Sequence, residues 1–169
     1  MEKVSDLNNL YRAYLKSKSG SDWKPQIQMY EMNYLSKLVE TSEDLQNHTY
    51  KAKQGSHFTV YERRKARNIR SNPFSDRIIR RSFCDNVLIP RLRKYLIHDN
   101  GASLEGKGIS FTRRRFEQHV HEYYRKYGTN EGYILLIDFS KYYDNIRHDK
   151  LKAAVSKYVH NPEYLWLLD

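Results

Sequence analysis

One cysteine, Cys84, stands among 169 residues. It rules out an internal disulfide, and a lone free thiol suits a reducing, intracellular setting. No run approaches the roughly 18 apolar residues that a membrane span requires. The first residues lack the apolar stretch of a secretory signal. Cytoplasm is therefore the expected location, and no membrane is among the expected partners. Internal repeats and low-complexity tracts are missing as well. No two aspartates are adjacent anywhere in the chain, an absence that bears on the chemistry below.

The residues that are present set the size and the charge. Hydrophobic residues make up 39%, enough for a modest core, and 15 tyrosines supply much of its apolar area. The length is that of one domain or a piece of a larger one. The net charge of +10 is unevenly placed: residues 58–130 hold 17 Lys/Arg against 7 Asp/Glu, whereas the two flanks balance. Positive charge gathered in one segment, with aromatics interleaved, is the electrostatic footprint of a polyanion partner; a basic surface with no partner is the plainer alternative.

Apolar spacing predicts a helix over 3–17, with Val4, Leu7, Leu10, Tyr11, Tyr14 and Leu15 on one face. Residues 17–25 read as a loop, and a second helix is expected over about 26–40. Residues 41–55 are polar and give no clear assignment. Phe58 and Val60 alternate with polar neighbours, a basic interruption follows at Glu62-Arg63-Arg64-Lys65, and Arg67-Asn68-Ile69 resumes. This predicts a two-stranded hairpin with a basic tip, although its turn lacks the Asn-Gly or Asp-Gly signal. A helix starts near Ser75 or Asp76 and turns Ile79, Phe83, Cys84, Val87 and Leu88 inward, until Pro90 breaks or kinks it. Cys84 there reads as a small core residue. Gly106-Lys107-Gly108 precedes a helix over about 109–127 that is expected to bury Phe116, Val120, Tyr123 and Tyr127, with Gly128 ending it. Such a tripeptide is either a plain loop or a cradle for a phosphate. His119 and His121, two apart, face different ways and make no metal pair.

The last stretch, Tyr133 to Leu151, carries the chemistry. Ile134 to Ile137 suit a strand buried on both faces, and Asp138 follows directly. A carboxylate at the end of a buried strand is costly unless its charge is compensated, usually by a divalent metal; the plainer reading makes Asp138 a cap at a strand-to-helix turn. Tyr142, Tyr143, Asp144 and Asn145 lead into a helix with Leu151, Val155 and Tyr158 on its apolar face.

In order, a basic hairpin (Arg64, Lys65, Arg67), Asn72-Pro73-Phe74-Ser75-Asp76-Arg77, an amphipathic helix ending in Ile89-Pro90, the stretch Gly101 to Ile109, and Asp138-Phe139-Ser140-Lys141-Tyr142-Tyr143-Asp144-Asn145-Ile146 resemble the first half of a reverse transcriptase. The likeness is to bacterial retroelement types, namely group II intron and diversity-generating retroelement enzymes and their defence-associated relatives. It covers roughly residues 55–160. It implies an α+β fold, the fingers and partial palm of a right-hand polymerase. That fold would be mostly helical, with a basic β-hairpin and a palm strand ending in Asp138. The segments would be an N-terminal helical extension (1–55), a basic fingers-like part (56–132) and a partial palm (133–169) that stops before the Asp-Asp turn. Asp138 then matches the first catalytic carboxylate and a ligand of both Mg²⁺ ions, with the Phe139 backbone carbonyl as a further ligand. Lys65 and Arg67 match the residues that hold the incoming deoxynucleoside triphosphate, and Tyr143 the aromatic that blocks a ribose 2′-OH. Arg63, Arg64, Arg77, Gly106, Lys107 and Gly108 would lie along RNA template and DNA primer. Asp144 has no metal role in that family.

One departure is large. The family places two further carboxylates in a tight aromatic-x-Asp-Asp turn, and this sequence has no adjacent aspartates; 31 residues follow Asp138. One carboxylate does not position two Mg²⁺ ions, so the chain by itself is not expected to polymerise DNA, and whether it acts as an enzyme stays open. The 134–137 strand would want sheet neighbours, and the isolated chain is expected to be poorly soluble or loosely packed around it. Three readings stand: a reverse-transcriptase fragment or half of a split enzyme completed by a palm and thumb chain, a non-catalytic RNA-binding remnant, and a helical interaction module.

Overall fold

The structure is a computed structural model and describes residues 1–168. Two compact units emerge, one formed by Met1–Leu92 with the segment beginning at Lys152, the other by Arg93–Leu151. These divide the chain differently from the sequence segments 1–55, 56–132 and 133–169. The chain is α+β, mostly helical with one antiparallel hairpin.

In the first unit, the helix expected over 3–17 is two: α1 (Glu2–Ser5) and α2 (Leu7–Lys18). Asp6 separates them because its carboxylate caps α2, accepting from the Asn9 N–H at 2.9 Å, which satisfies one of the orphan amides of a helix start. The second expected helix also divides, into α3 (Pro25–Glu31), with Pro25 in the first turn, and α4 (Tyr34–Gln46). α4 runs through residues 41–46, whose polarity hides a buried side formed by Leu38, Ser42 and Leu45. Leu45 is the one apolar residue among 41–46, too sparse for a periodicity signal, but one face is all that burial requires.

The hairpin is as expected: β1 (Ser56–Glu62) pairs with β2 (Lys65–Ser71), Phe58 opposite Ile69 and Val60 opposite Arg67. α5 (Phe74–Phe83) follows and continues through a π turn over Cys84–Leu88 into α6 (Ile89–Leu92). Pro90 explains the irregularity: it has no N–H to donate and its ring crowds the carbonyl four residues back, and the widened turn, closed by the Ile89 N–H on the Cys84 carbonyl, keeps the chain helical up to it. Cys84 is half-buried.

The core gathers Val4, Leu10, Tyr14, Ile27, Leu38, Leu45, Ile78, Phe83, Val87, Val159 and Tyr164. The last two come from the chain after α8 (His148–Ser156) and from α9 (Pro162–Trp166). Tyr14 and Tyr34 stack at 5.1 Å, and Tyr30 meets Phe74 edge-on at 5.1 Å, so tyrosines supply the aromatic interior that the composition promised. Buried serines tie backbones together: Ser82 donates to the Val4 carbonyl (2.9 Å) and Ser42 to the Ser5 carbonyl (2.6 Å).

The second unit departs from expectation in two ways. α7 (Ile109–Tyr127) has the predicted bounds and a left-handed Gly128 cap, φ 68°. None of its side chains is buried, however, and Phe116, Val120, Tyr123 and Tyr127 stay exposed. The palm strand ending in Asp138 is not formed either: 131–139 carry no regular structure, and the hairpin holds the only strands among the described residues. Tyr133 to Ile137 are exposed, Leu136 at 89%. The missing strand has a physical cause. An apolar run becomes a buried strand only beside another strand that takes its N–H and C=O groups, and no described segment does so.

The contrast between the units is measurable. Leu10→Ala, which empties a fully buried site, should lower unfolding stability by about 2–5 kcal/mol. Leu135→Ser, at an exposed one, should leave the chemical-denaturation midpoint unchanged and raise the soluble fraction.

Candidate functional site

The hairpin is exposed along both strands apart from its last residue, Ser71. Alternation along a strand places Phe58, Val60, Glu62, Lys65, Arg67 and Ile69 on one face and His57, Thr59, Tyr61, Ala66, Asn68 and Arg70 on the other, following the observed register. Lys65 and Arg67 are therefore neighbours on one face, nearer the tip than the apolar pair Phe58/Ile69. Arg67 is engaged by Glu62 at 2.8 Å. Across the other face, Thr59 donates to the Asn68 side-chain oxygen at 2.9 Å.

Arg63 and Arg64 form the two-residue turn, both with left-handed φ, 49° and 65°. This is why the sequence carried no turn signature. The backbone needs the geometry that Asn-Gly normally provides, but arginines provide it here at a cost of roughly 1–2 kcal/mol each. Four cations, Arg63, Arg64, Lys65 and Arg67, thus crowd a tip that offers one carboxylate.

The base of the hairpin is fixed by Asp76, which is fully buried and accepts from the Lys53 backbone N–H at 2.8 Å and from the Ser75 hydroxyl at 3.3 Å. Burial and the neighbouring Asp76 carboxylate push the Tyr50 phenol up to about 12. Gly55 sits where a side chain does not fit, since a Cβ there would meet the Ser71 carbonyl oxygen at 2.6 Å. Arg77, expected along template and primer, is half-buried; it donates to the Ser17 carbonyl at 3.1 Å and lies over the Phe74 ring.

In the second unit Gly106 and Gly108 both take positive φ (76° and 150°), and Gly108 is the N-terminal cap of α7. Lys107 turns back to donate to the His98 carbonyl and covers the Phe111 ring at 4.6 Å. Its ammonium holds the loop in place before it offers anything to a phosphate. Next to it lies a cluster the sequence reading missed. Asp99 accepts from Arg115 Nε (2.5 Å), is bonded to His119 Nε2 (2.6 Å) and faces His98 Nδ1 (3.1 Å). Arg115 and His119, four apart on one helix face, were the available signal. These bonds, Arg115 first, hold the Asp99 carboxyl well below the usual carboxylate range, and Asp99 in turn raises His119.

Asp138 lies in the exposed 131–139 segment. It has neither hydrogen bond nor ion pair among the described residues, so it does not act as a helix cap. Phe139 and Tyr143 are also exposed (70% and 86%), and Tyr142 packs edge-on against Tyr143 at 5.4 Å. No group of three metal-ligating side chains forms among the described residues. The Asp138 carboxylate and Phe139 carbonyl amount to the share that a protein gives one Mg²⁺ taking its other oxygens from water and phosphate. They do not build a two-ion site.

No protein-family model matches the chain, and no curated protein matches it either. No helix among the described residues is long and apolar enough to cross a membrane.

Two outcomes test these geometries. Replacing Arg63-Arg64 by Asn-Gly should relieve the turn and slow amide exchange in the hairpin by about tenfold or more, while lowering affinity for any polyanion. His119 should titrate above the ordinary histidine value of about 6.5 when followed by NMR, and return to it in Asp99→Asn. The sign follows from the two shifts. A raised His119 favours the tied loop below its unfolded pKa, and this is lost as pH rises through the folded value. A depressed Asp99 favours it above the ordinary carboxylate pKa, and this is lost in acid. The tie is therefore firmest in the weakly acidic range between them.

Proposed function

We propose that this chain carries the fingers and first palm segment of an RNA-directed DNA polymerase of the bacterial retroelement type, and that its own residues supply the grip on nucleic acid and nucleotide. What supports the reading is the pairing of Lys65 and Arg67 on one face of an exposed hairpin, placed in the motif order that resembles a reverse transcriptase. Two cations two residues apart on a strand are close enough to meet adjacent phosphates of a triphosphate, and both are free to follow it because the hairpin packs little of itself away. Glu62 serves as a placeholder on Arg67 that an incoming phosphate would displace. The arginine tip would track a nucleic-acid backbone through charge alone. Tyr143, exposed and five residues after Asp138, is the candidate for contact with the sugar.

Mg²⁺, when bound at the Asp138 carboxylate and the Phe139 carbonyl, would supply positive charge at the phosphates being exchanged. Asp138 orients that ion. The remaining carboxylates of a two-ion centre would have to come from a complementing palm and thumb.

RNA binding without catalysis is the second reading. It is favoured by the exposure of the hairpin tip, which needs no second carboxylate to act. Fluorescence anisotropy with an RNA·DNA duplex separates the two. Binding should weaken linearly in log–log form with salt, and Arg63→Gln and Arg64→Gln should each reduce that slope by about 1. Asp138→Ala should leave binding intact under both readings. Under the polymerase reading it should also abolish Mg²⁺-dependent primer extension once a palm and thumb chain is supplied. Duplex binding that ignores both salt and the arginines would defeat both.

A further inference from the structure

A cavity of about 400 Å³ opens in the first unit where α5 meets the 50–52 segment and the chain after α9. Its floor is apolar, with Ile79 and Phe83 from α5, and two aromatic rings, Tyr50 and Trp166, form a wall. Trp166 is held between His48 (centroids 5.1 Å apart) and Tyr50 (6.4 Å, edge-on). The remaining polar contribution is cationic: Lys51 and Arg80 line the cavity, both exposed. Neither forms an ion pair with a carboxylate among the described residues, although α5 carries Asp76 only one turn away. The Asp76 oxygens accept from the Lys53 N–H and the Ser75 hydroxyl. No carboxylate of the described residues lines the cavity.

An apolar, ring-walled cavity of this size lies in the range of small-molecule sites. Two exposed cations at its edge, neither ion-paired among the described residues, favour an anion over a neutral ligand. We infer that this cavity binds a small aromatic anion, its ring system against Trp166 and Tyr50 and its carboxylate, sulfonate or phosphate against Arg80 and Lys51. The site draws on none of the residues assigned to metal, nucleotide or nucleic acid.

The chain's second tryptophan, Trp23, is 72% exposed, so Trp23→Phe leaves Trp166 as the single reporter. In that background, titration with 2-naphthoate should quench Trp166 fluorescence saturably, and the neutral 2-naphthylmethanol should bind at least about tenfold more weakly, the worth of one charge-assisted contact. Arg80→Gln with Lys51→Gln should erase the preference for the anion and leave the weak neutral binding. Ala52→Phe, on an exposed lining residue, should fill the mouth and block both compounds. Far-ultraviolet circular dichroism checks that each variant remains folded. Equal affinity for acid and alcohol, an anion preference that survives loss of both cations, or the absence of saturable quenching would each overturn the assignment.

Discussion

Asp76 is the carboxylate on which the attachment of the hairpin depends. It is buried, forms no ion pair among the described residues, and accepts from a backbone amide and a hydroxyl. Hydrogen bonds to a charged acceptor are worth roughly 1.5–3 kcal/mol each, and here the one from Lys53 joins the segment leading into the hairpin to α5. Beyond that anchor, with Gly55 allowing the close approach to Ser71, the two strands are exposed. Two strands alone are marginal in water; their persistence comes from a fixed base and regular pairing, with little burial of the faces. The result is a projecting arm with a firm root and a charged tip.

The second unit has the opposite problem. α7 is well formed, capped by Gly128 and tied at its side by Asp99 to Arg115 and His119, yet its apolar stripe meets solvent, as do Tyr133 to Phe139. Polar ties of this kind fix a loop to a helix without removing apolar area from water, and the hydrophobic term dominates folding free energy. This unit therefore holds its local conformations by hydrogen bonds and capping while its larger apolar surfaces stay wet. Contiguous exposed apolar surface marks a place of association or of aggregation.

Several elements were legible in the sequence because local rules fix them. The bounds of α7 follow from its spacing and from Gly128, and the hairpin follows from the alternation of Phe58 and Val60. The division at Asp6 escaped because an aspartate within an apolar period looks like a solvent-facing residue until its side chain is seen capping. The Arg63-Arg64 turn escaped because arginine does not advertise a left-handed backbone. The strand at Ile134–Ile137 was read from composition, and composition records only what a segment would bury if something covered it. At the candidate site, clustering of positive charge was readable, but the retreat of Arg77 to the Ser17 carbonyl and of Lys107 to the His98 carbonyl was not. Long cations near a helix end or an aromatic ring have nearby acceptors that a one-dimensional pattern does not display.

That difference separates what charge accomplishes from what coordination accomplishes. A basic arm attracts a polyanion through a field summed over several cations, and the sum tolerates the loss or repositioning of any one of them. Holding a metal ion against a reacting phosphate requires several oxygens converging within a fraction of an ångström, and Asp138 on an uncovered extended segment contributes one point of that geometry. On the proposed reading, nucleic-acid binding would draw on the hairpin's charge alone, whereas catalysis would require a neighbouring strand to pair with 134–137, bury it and aim its terminal carboxylate. On that same reading, covering the apolar run and completing a metal centre would be a single event, because the backbone that satisfies the strand would also fix the position of Asp138.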